Sequence, residues 1–366
     1  MTLYYKTNEI LDRSNNETIY DLYACGYELN PEDLYFIPGL TLIGSINNMI
    51  KISFSSNHLL TIDGSGKLYV CGENTYGQLG LGDKENRSTP TRVGSESNWV
   101  KISCGWCYSL AINNHGELYA WGRNYYGQLG LGDREYRLTP TRVGNSLNWV
   151  KIACGRYHSL AINDLGELYT WGYNDCGLLG LGDKEDRLTP TRVGSESNWV
   201  KISCGWFHSL AINDRGELYA FGDNYYGQLG LDDRKNRSIP TRTGSELNWK
   251  EIACGYNHSL AINDRGELYA FGDNYYGQLG LDDRKNRSIS TRVGNESNWK
   301  KIACGLCHSL SINDLGELYT WGDNNYGQLG LGDREYRLIP TRVGNESNWV
   351  CIYAGDFCSF LLKNHE

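Results

Sequence analysis

No stretch of this 366-residue chain holds an apolar 3.6-residue period long enough for an amphipathic helix, which excludes a helical fold. No hydrophobic run approaches the length of a membrane span. The opening residues, MTLYYKTNEILDRSNNETIY, contain no apolar leader core. Lys and Arg form no tail or stripe, and the formal charge is −8 with a pI near 5.5. Such a surface repels phosphate backbones instead of gaining from counterion release, so direct nucleic-acid binding is not expected. No linker, low-complexity run or charge block interrupts the chain. These absences predict a soluble protein with no membrane partner, expected in the cytoplasm, with the nucleus as the alternative.

What is present is a repeat. The stretch KISCGWCYSLAINNHGELYAWGRNYYGQLGLGDREYRLTPTRVGNSLNWV, Lys101 to Val150, recurs at a strict 50-residue period. Copies begin at Lys51, Lys101, Lys151, Lys201, Glu251 and Lys301, and an incomplete seventh begins at Cys351. Residues 211–239 and 261–289 are identical letter for letter. A fixed period this long marks a supersecondary unit that buries its apolar faces only by stacking on its neighbours. Within the unit, Trp149–Ile152, Ser109–Ile112 and Glu117–Trp121 are short runs rich in strand formers. Asn114-His115-Gly116 is a hairpin signal, and Thr139–Val143 supplies a fourth strand whose Pro140 suits an edge. Four short antiparallel strands repeated radially predict the blades of an all-β propeller.

The ends complete the count. Leu22-Tyr23-Ala24-Cys25-Gly26 matches LYAWG at Leu118–Gly122, and Thr41-Leu42-Ile43-Gly44 matches TRVG at Thr141–Gly144. Between them, YELNPEDLYFIPGL has lost the GQLGLGD loop. The expected organisation is one propeller over residues 1–366, with six full repeats over 51–350. A seventh blade is shared between residues 22–50 and 351–366, and residues 1–21 are irregular. An open ring would leave a bare strand edge and two uncovered faces, so sharing a blade turns closure into strand pairing.

These residues resemble the regulator-of-chromosome-condensation repeat family. Its signature is carried by CGRYHSLAIN (Cys154–Asn163), GELYAWG (Gly116–Gly122) and NYYGQLGLGD (Asn124–Asp133), and the resemblance spans residues 51–350 without a gap. It implies a seven-bladed propeller. It says less about activity, since the family covers exchange factors for small GTPases, a photoreceptor and many scaffolds. Exchange factors of the family reach the nucleotide site with an insertion on one blade, and no full unit here carries one. The photoreceptor branch uses a Gly-Trp-Arg-His-type motif in adjacent blades. Here Trp106 and Trp206 are a blade apart and neither is followed by Arg, which disfavours light sensing.

Several patterns invite chemistry. Cys154/His158, Cys204/His208, Cys254/His258 and Cys304/His308 have C-x3-H spacing, and Tyr108 takes the His place in the second copy. A catalytic or metal pair is wanted once, whereas a structural pair is wanted per blade. The Cys is therefore expected to pack, and the His to hydrogen-bond backbone between strands. The twelve cysteines are expected as reduced, buried thiols, because symmetry-equivalent sites need not approach within disulfide reach. Gly127-Gln128-Leu129-Gly130-Leu131-Gly132-Asp133 lacks the Lys-Ser/Thr ending and following helix of a phosphate loop. Its glycines supply positive φ, Asp133 is expected to accept backbone N–H bonds or pair with Arg137 or Arg142, and Asp232 and Asp282 mark a left-handed position. Trp99, Trp149, Trp199, Trp249, Trp299 and Trp349 recur once per unit and are expected between blades. No catalytic residue, metal ligand or cofactor site is assigned.

Function is expected where the copies differ. The two residues after each Cys-Gly vary freely and occupy one turn per blade, on one rim of the ring. Trp106, Arg156, Tyr157, Trp206, Phe207, Tyr256 and Phe357 are of the types enriched in interface hot spots and are assigned to partner binding. A second variable set, Glu73, Arg123, Tyr173, Asp223, Asp273 and Asp323, turns acidic in later blades; an acidic arc would favour a basic partner, but such a set is more often a solvated edge. The sequence thus predicts a monomeric, non-enzymatic protein-interaction module with a protein partner. The runner-up is an exchange factor or other regulator of a small GTPase.

Overall fold

The structure, a computed structural model, describes residues 19–27, 36–47, 49–55, 57–144, 148–245 and 248–365. They form seven four-stranded antiparallel sheets. The second full blade is typical: Trp99–Gly105 is innermost, followed outward by Tyr108–Asn113, Leu118–Gly122 and Arg137–Arg142. Neighbouring innermost strands contact one another in series around the axis, so the sheets stand radially about a channel. Among the described residues there is no helix, and hence none long and apolar enough to cross a membrane.

Each blade is covered on both faces, which explains why the second strand is buried at every position in five blades and at all but its last in the other two. Successive side chains leave a strand on opposite sides. Leu110 and Ile112 therefore pack against Trp149, Ala161 and Trp171 of the next blade. Ala111 instead joins Trp99, Trp121 and Leu60 on the other side. The core is a set of wedges between blades, and the once-per-unit tryptophans occupy them as expected: Trp99, Trp149, Trp199, Trp249, Trp299 and Trp349 are all buried. Each of the first five meets the tyrosine of its own third strand edge-on, as Trp99 does Tyr119 at 5.2 Å.

The Gly-rich loop fastens one blade to the next. Buried Asn124 accepts from the Leu129 amide through Oδ1 (2.9 Å) and donates through Nδ2 to the Asp133 carbonyl (3.0 Å). Gly130 has φ +73°, and a Cβ there would lie 2.9 Å from the Trp171 Nε1 of the following blade. Asp133 does both things expected of it, accepting from the Glu135 amide (2.9 Å) and pairing with Arg137 (2.5 Å). Arg142 pairs with Glu117 instead. Asp232 and Asp282 have φ of 62° and 60°, as the replaced glycine predicts.

The seventh sheet has the order Phe36–Asn47, Ile19–Tyr27, Cys358–Asn364, Trp349–Ala354, so both ends of the chain share it. Tyr23 pairs with Leu361 and Ala24 with Phe360. The shared blade covers both neighbours: Leu22 and Phe360 pack on Ile52 and Leu59, while Trp349 and Leu361 pack on Leu310 and Val343. Gly26 has φ +100°, matching Gly122 at +99° and supporting the alignment read from sequence. Residues 19–21 belong to the strand Ile19–Tyr27, not to the irregular segment expected over residues 1–21, because they pair with its neighbouring strands. The rest of that segment and the shortened loop between Tyr27 and Phe36 lie outside the described residues.

Candidate functional site

The Cys-Gly turns that end the innermost strands converge on one mouth of the channel. They border a depression of about 110 Å³ lined in part by Trp106, Arg156, Trp206 and Asp356. The side chains after Cys-Gly lean on one another around that opening. The Arg156 guanidinium carbon lies 3.8 Å from the Trp206 ring centroid and 4.9 Å from each of Trp106 and Tyr157. Arg123, from the start of the Gly-rich loop, lies 4.4 Å from Trp106 and 5.2 Å from Tyr76. Ring contacts extend the belt: Trp106–Tyr157 at 5.5 Å, Tyr126–Tyr173 at 4.8 Å and Trp206–Tyr256 at 4.3 Å.

The two guanidiniums are short of partners. Most other arginines here face carboxylates, as Arg187 does Asp183 and Arg292 does Glu267. Arg123 and Arg156 form no ion pair among the described residues. Nε and Nη1 of Arg123 and Nε of Arg156 are buried without a hydrogen-bond acceptor. Stacking on an indole or phenol favours a cation by about 0.5–1 kcal/mol at exposed sites and more when desolvated, but leaves its edge N–H groups unsatisfied. The arrangement can therefore receive an anionic or carbonyl oxygen between flat apolar walls.

Six of the seven residues assigned from sequence, Trp106, Arg156, Tyr157, Trp206, Phe207 and Tyr256, join this belt. Phe207 lies 6.4 Å from Tyr157 and 6.3 Å from Tyr256. Phe357 stands apart and packs on Tyr326 at 4.9 Å. The belt also takes in Arg123 and Tyr173 from the second variable set, which sequence reasoning kept separate. Tyr126 was missed because it recurs in the Gly-rich loop and reads there as constant. Light sensing is no better supported than before, since Arg156 of the intervening blade separates the Trp106 and Trp206 rings.

Two expectations need correction. The acidic arc is not a solvated edge: Asp323 is buried, and Asp223, Asp273 and Asp323 accept from Gln228, Gln278 and Gln328 at 2.7, 2.9 and 2.9 Å. Burial raises the Asp273 and Asp323 carboxyls above the ordinary range. These aspartates brace the loop. The histidines, too, reach the next blade's side chains instead of backbone. His158 Nε2 meets Ser209 Oγ at 2.9 Å, and His58, His208, His258 and His308 make the same contact with Ser109, Ser259, Ser309 and Ser359.

Ser209 gives its only hydroxyl proton to the Leu178 carbonyl (2.9 Å), so His158 donates from Nε2 and its Nδ1 is bare and buried. Burial lowers the pKa of His158 to about 3, which keeps the ring neutral. Tyr108 keeps the interblade tie where His is missing, donating to the His158 carbonyl at 2.5 Å. Phe54 in the first blade and Ala354 in the shared blade stand where the other five have Cys, and Cys358 takes the His place in the shared blade. All twelve cysteines are free, and burial raises the Cys154 and Cys254 thiols to about 12. Among the described residues no group of three His, Cys, Asp or Glu side chains is placed to hold a metal ion.

Radial sheets, interblade latches and a strand-shared closing blade define a seven-bladed β-propeller with a variable belt at one channel mouth. The RCC1-like domain family matches residues 28–198 and 195–366, and the chain belongs to that family. Human WBSCR16 has the same fold, at 22% identity and a TM-score of 0.82, over 96% of this chain and 99% of that one. Saccharomyces cerevisiae Prp20p, described with its binding properties to Gsp1p and histones, superposes with a TM-score of 0.84. It is 23% identical, over 96% of this chain and 93% of that one. Yeast RCC1 (Prp20) bound to Kap60 gives 0.83 at 22% identity, covering 96% and 90% of the two chains. At these identities the likeness establishes the fold alone. A comparison with curated protein sequences finds no match.

Proposed function

We propose that this propeller is a non-enzymatic protein-interaction module whose docking surface is the arginine–aromatic belt at the channel mouth. The observation that carries this reading is the pair Arg123 and Arg156, held by Trp106, Tyr157 and Trp206 without a carboxylate of their own. Aromatic rings and arginines fixed by stacking lose little side-chain entropy on binding, which is why these types dominate hot spots. Blades differ most at this belt, so selectivity resides there. The protein acts as a monomer in the cytoplasm. A second reading, regulation of a small GTPase, draws on the fold shared with Prp20p, which was described with its binding to Gsp1p. Affinity capture with the wild type and an Arg123→Ala/Arg156→Ala variant tests the docking surface. A partner retained equally by both places binding elsewhere. Nucleotide-release assays on any recovered GTPase separate the two readings.

A further inference from the structure

The opposite end of the channel carries a feature that no local sequence window reveals. Six of the seven innermost strands begin at the recurrent Trp, the first begins at Met49 in its place, and all run toward the turns at the aromatic belt. The residue two places after that Trp therefore lies toward the mouth opposite the aromatic belt. In five of the seven blades it is lysine: Lys51, Lys101, Lys151, Lys201 and Lys301, with Glu251 and Cys351 completing the ring. Spaced 50 residues apart, they read as isolated surface charges. Ring closure sets them side by side around one axis.

The lysines are held in place. Lys51, Lys151 and Lys301 donate from Nζ to the carbonyls of Val100, Val200 and Val350, each on the next blade's innermost strand. Lys201 donates to the Lys250 carbonyl at 2.5 Å and pairs with Glu251 at 2.5 Å. One carbonyl uses one of three ammonium protons, so each lysine keeps donors to offer. Lys101 is exposed and makes no side-chain hydrogen bond among the described residues, and Lys250 and Lys300 add two exposed cations one position earlier.

The charges are close enough to oppose one another. Burial and then Lys101 lower the pKa of Lys51, while burial, Lys201 and Lys101 lower that of Lys151, against which Glu251 acts in the opposite sense. Within this girdle Glu251 is the one carboxylate among seven lysines, and it pairs with Lys201. A chain with formal charge −8 thus concentrates positive charge at one channel mouth, and an added multivalent anion relieves that repulsion.

We propose that this lysine girdle is a binding site for a compact polyanion, a small ring or chain bearing several phosphates. The size limit comes from the surroundings. On the same face the hairpin aspartates Asp164, Asp214 and Asp314 accept from Asn148, Asn198 and Asn298, beside the start of the innermost strands. With exposed Asp264 they outnumber the hairpin cations Arg215 and Arg265. A long nucleic-acid strand crossing the face would run over those carboxylates, whereas a small anion centred on the axis meets five lysines against the single carboxylate of Glu251. A hollow of about 440 Å³ beside Lys101, lined by His115, Asn114 and Asn148, gives such a ligand room at the edge of the girdle.

Calorimetric titration of the full chain with inositol hexakisphosphate at low salt tests the proposal, with inorganic phosphate as the monovalent probe. We expect saturable 1:1 binding, at least tenfold weaker for Lys101→Glu/Lys151→Glu and unchanged for Lys184→Glu, which makes the same kind of charge reversal off the girdle. Inorganic phosphate should bind at least a hundredfold more weakly. Vesicles containing a phosphoinositide separate the sources: capture by vesicles assigns a lipid headgroup, and binding of the free probe alone assigns a soluble ligand. No binding, binding indifferent to the girdle substitutions in variants with an unchanged melting temperature, or tighter binding of a single-stranded oligonucleotide each overturns the proposal. Lys101→Ala, a milder change at an exposed site, serves in place of any double variant that fails to fold.

Discussion

The guanidinium carbon of Arg156 sits 3.8 Å from the centre of the Trp206 ring, although the two residues belong to different blades. One side chain thereby fixes the orientation of the other across a blade boundary at the channel mouth. Trp206 is half-buried by this contact and by Tyr256, yet it stands outside the interblade wedges. Trp206→Ala should therefore cost partner affinity about 2 kcal/mol or more, as hot-spot truncations do, while the ring stays folded. Circular dichroism alongside the binding titration checks both halves. A ring that unfolds, with undiminished affinity in the folded fraction, would place Trp206 in the core.

Trp199 should behave in the opposite way. It is 5% exposed, meets Tyr219 edge-on at 5.1 Å and packs against Leu160, Leu168 and Phe221. Its Nε1 has no hydrogen-bond partner, so truncation removes packing alone. Trp199→Ala should lower stability by roughly 3–5 kcal/mol. Denaturant unfolding measures this, and a loss below about 1 kcal/mol would contradict the wedge packing.

Acid should weaken the ring through its buried histidines. His58, His158, His208, His258 and His308 have folded pKa values lowered by burial from 6.5 to about 3. Between those limits the unfolded chain binds protons that the folded chain refuses. Stability is thus complete above pH 6.5 and falls as pH drops toward 3, by about 1.4 kcal/mol per pH unit for each fully contributing histidine. Melting temperatures between pH 7 and 5 should decline, and His208→Gln should flatten that decline. An identical pH profile in the variant would refute the neutral-latch assignment.

Removal of residues 1–50 should open the ring. The strand Cys358–Asn364 would lose its partner Ile19–Tyr27, and Ile52 and Leu59 would lose the cover of Leu22. Exposed edges and apolar faces of this kind lead to aggregation. Light scattering should show association with a lowered melting temperature. A truncated chain that stays monomeric and melts unchanged would disprove closure by strand sharing.

Local chemistry made much of this protein legible in its sequence. The 50-residue period, the Asn/Gly hairpin and the left-handed glycines act within a few residues of themselves, so they announced strands, turns and blade number. The match of Leu22–Gly26 to Leu118–Gly122 announced the shared blade, because strand periodicity survives being split between the ends of a chain. Variability after Cys-Gly pointed to the belt for the same reason, since those turns differ while their frame does not.

What tertiary structure decided are the contacts that run from blade to blade. The His158–Ser209 tie, the Trp106–Arg156–Trp206 stack and the lysine girdle join residues about 50 positions apart, and their partners are chosen by the angle between neighbouring sheets. Asp323, which a charge count alone placed in water, is buried and accepts from Gln328 of its own loop. Periodicity states which side chains recur. Only closure of the ring brings the recurring ones face to face, because the burial and electrostatics that fix their roles exist once neighbouring blades have docked.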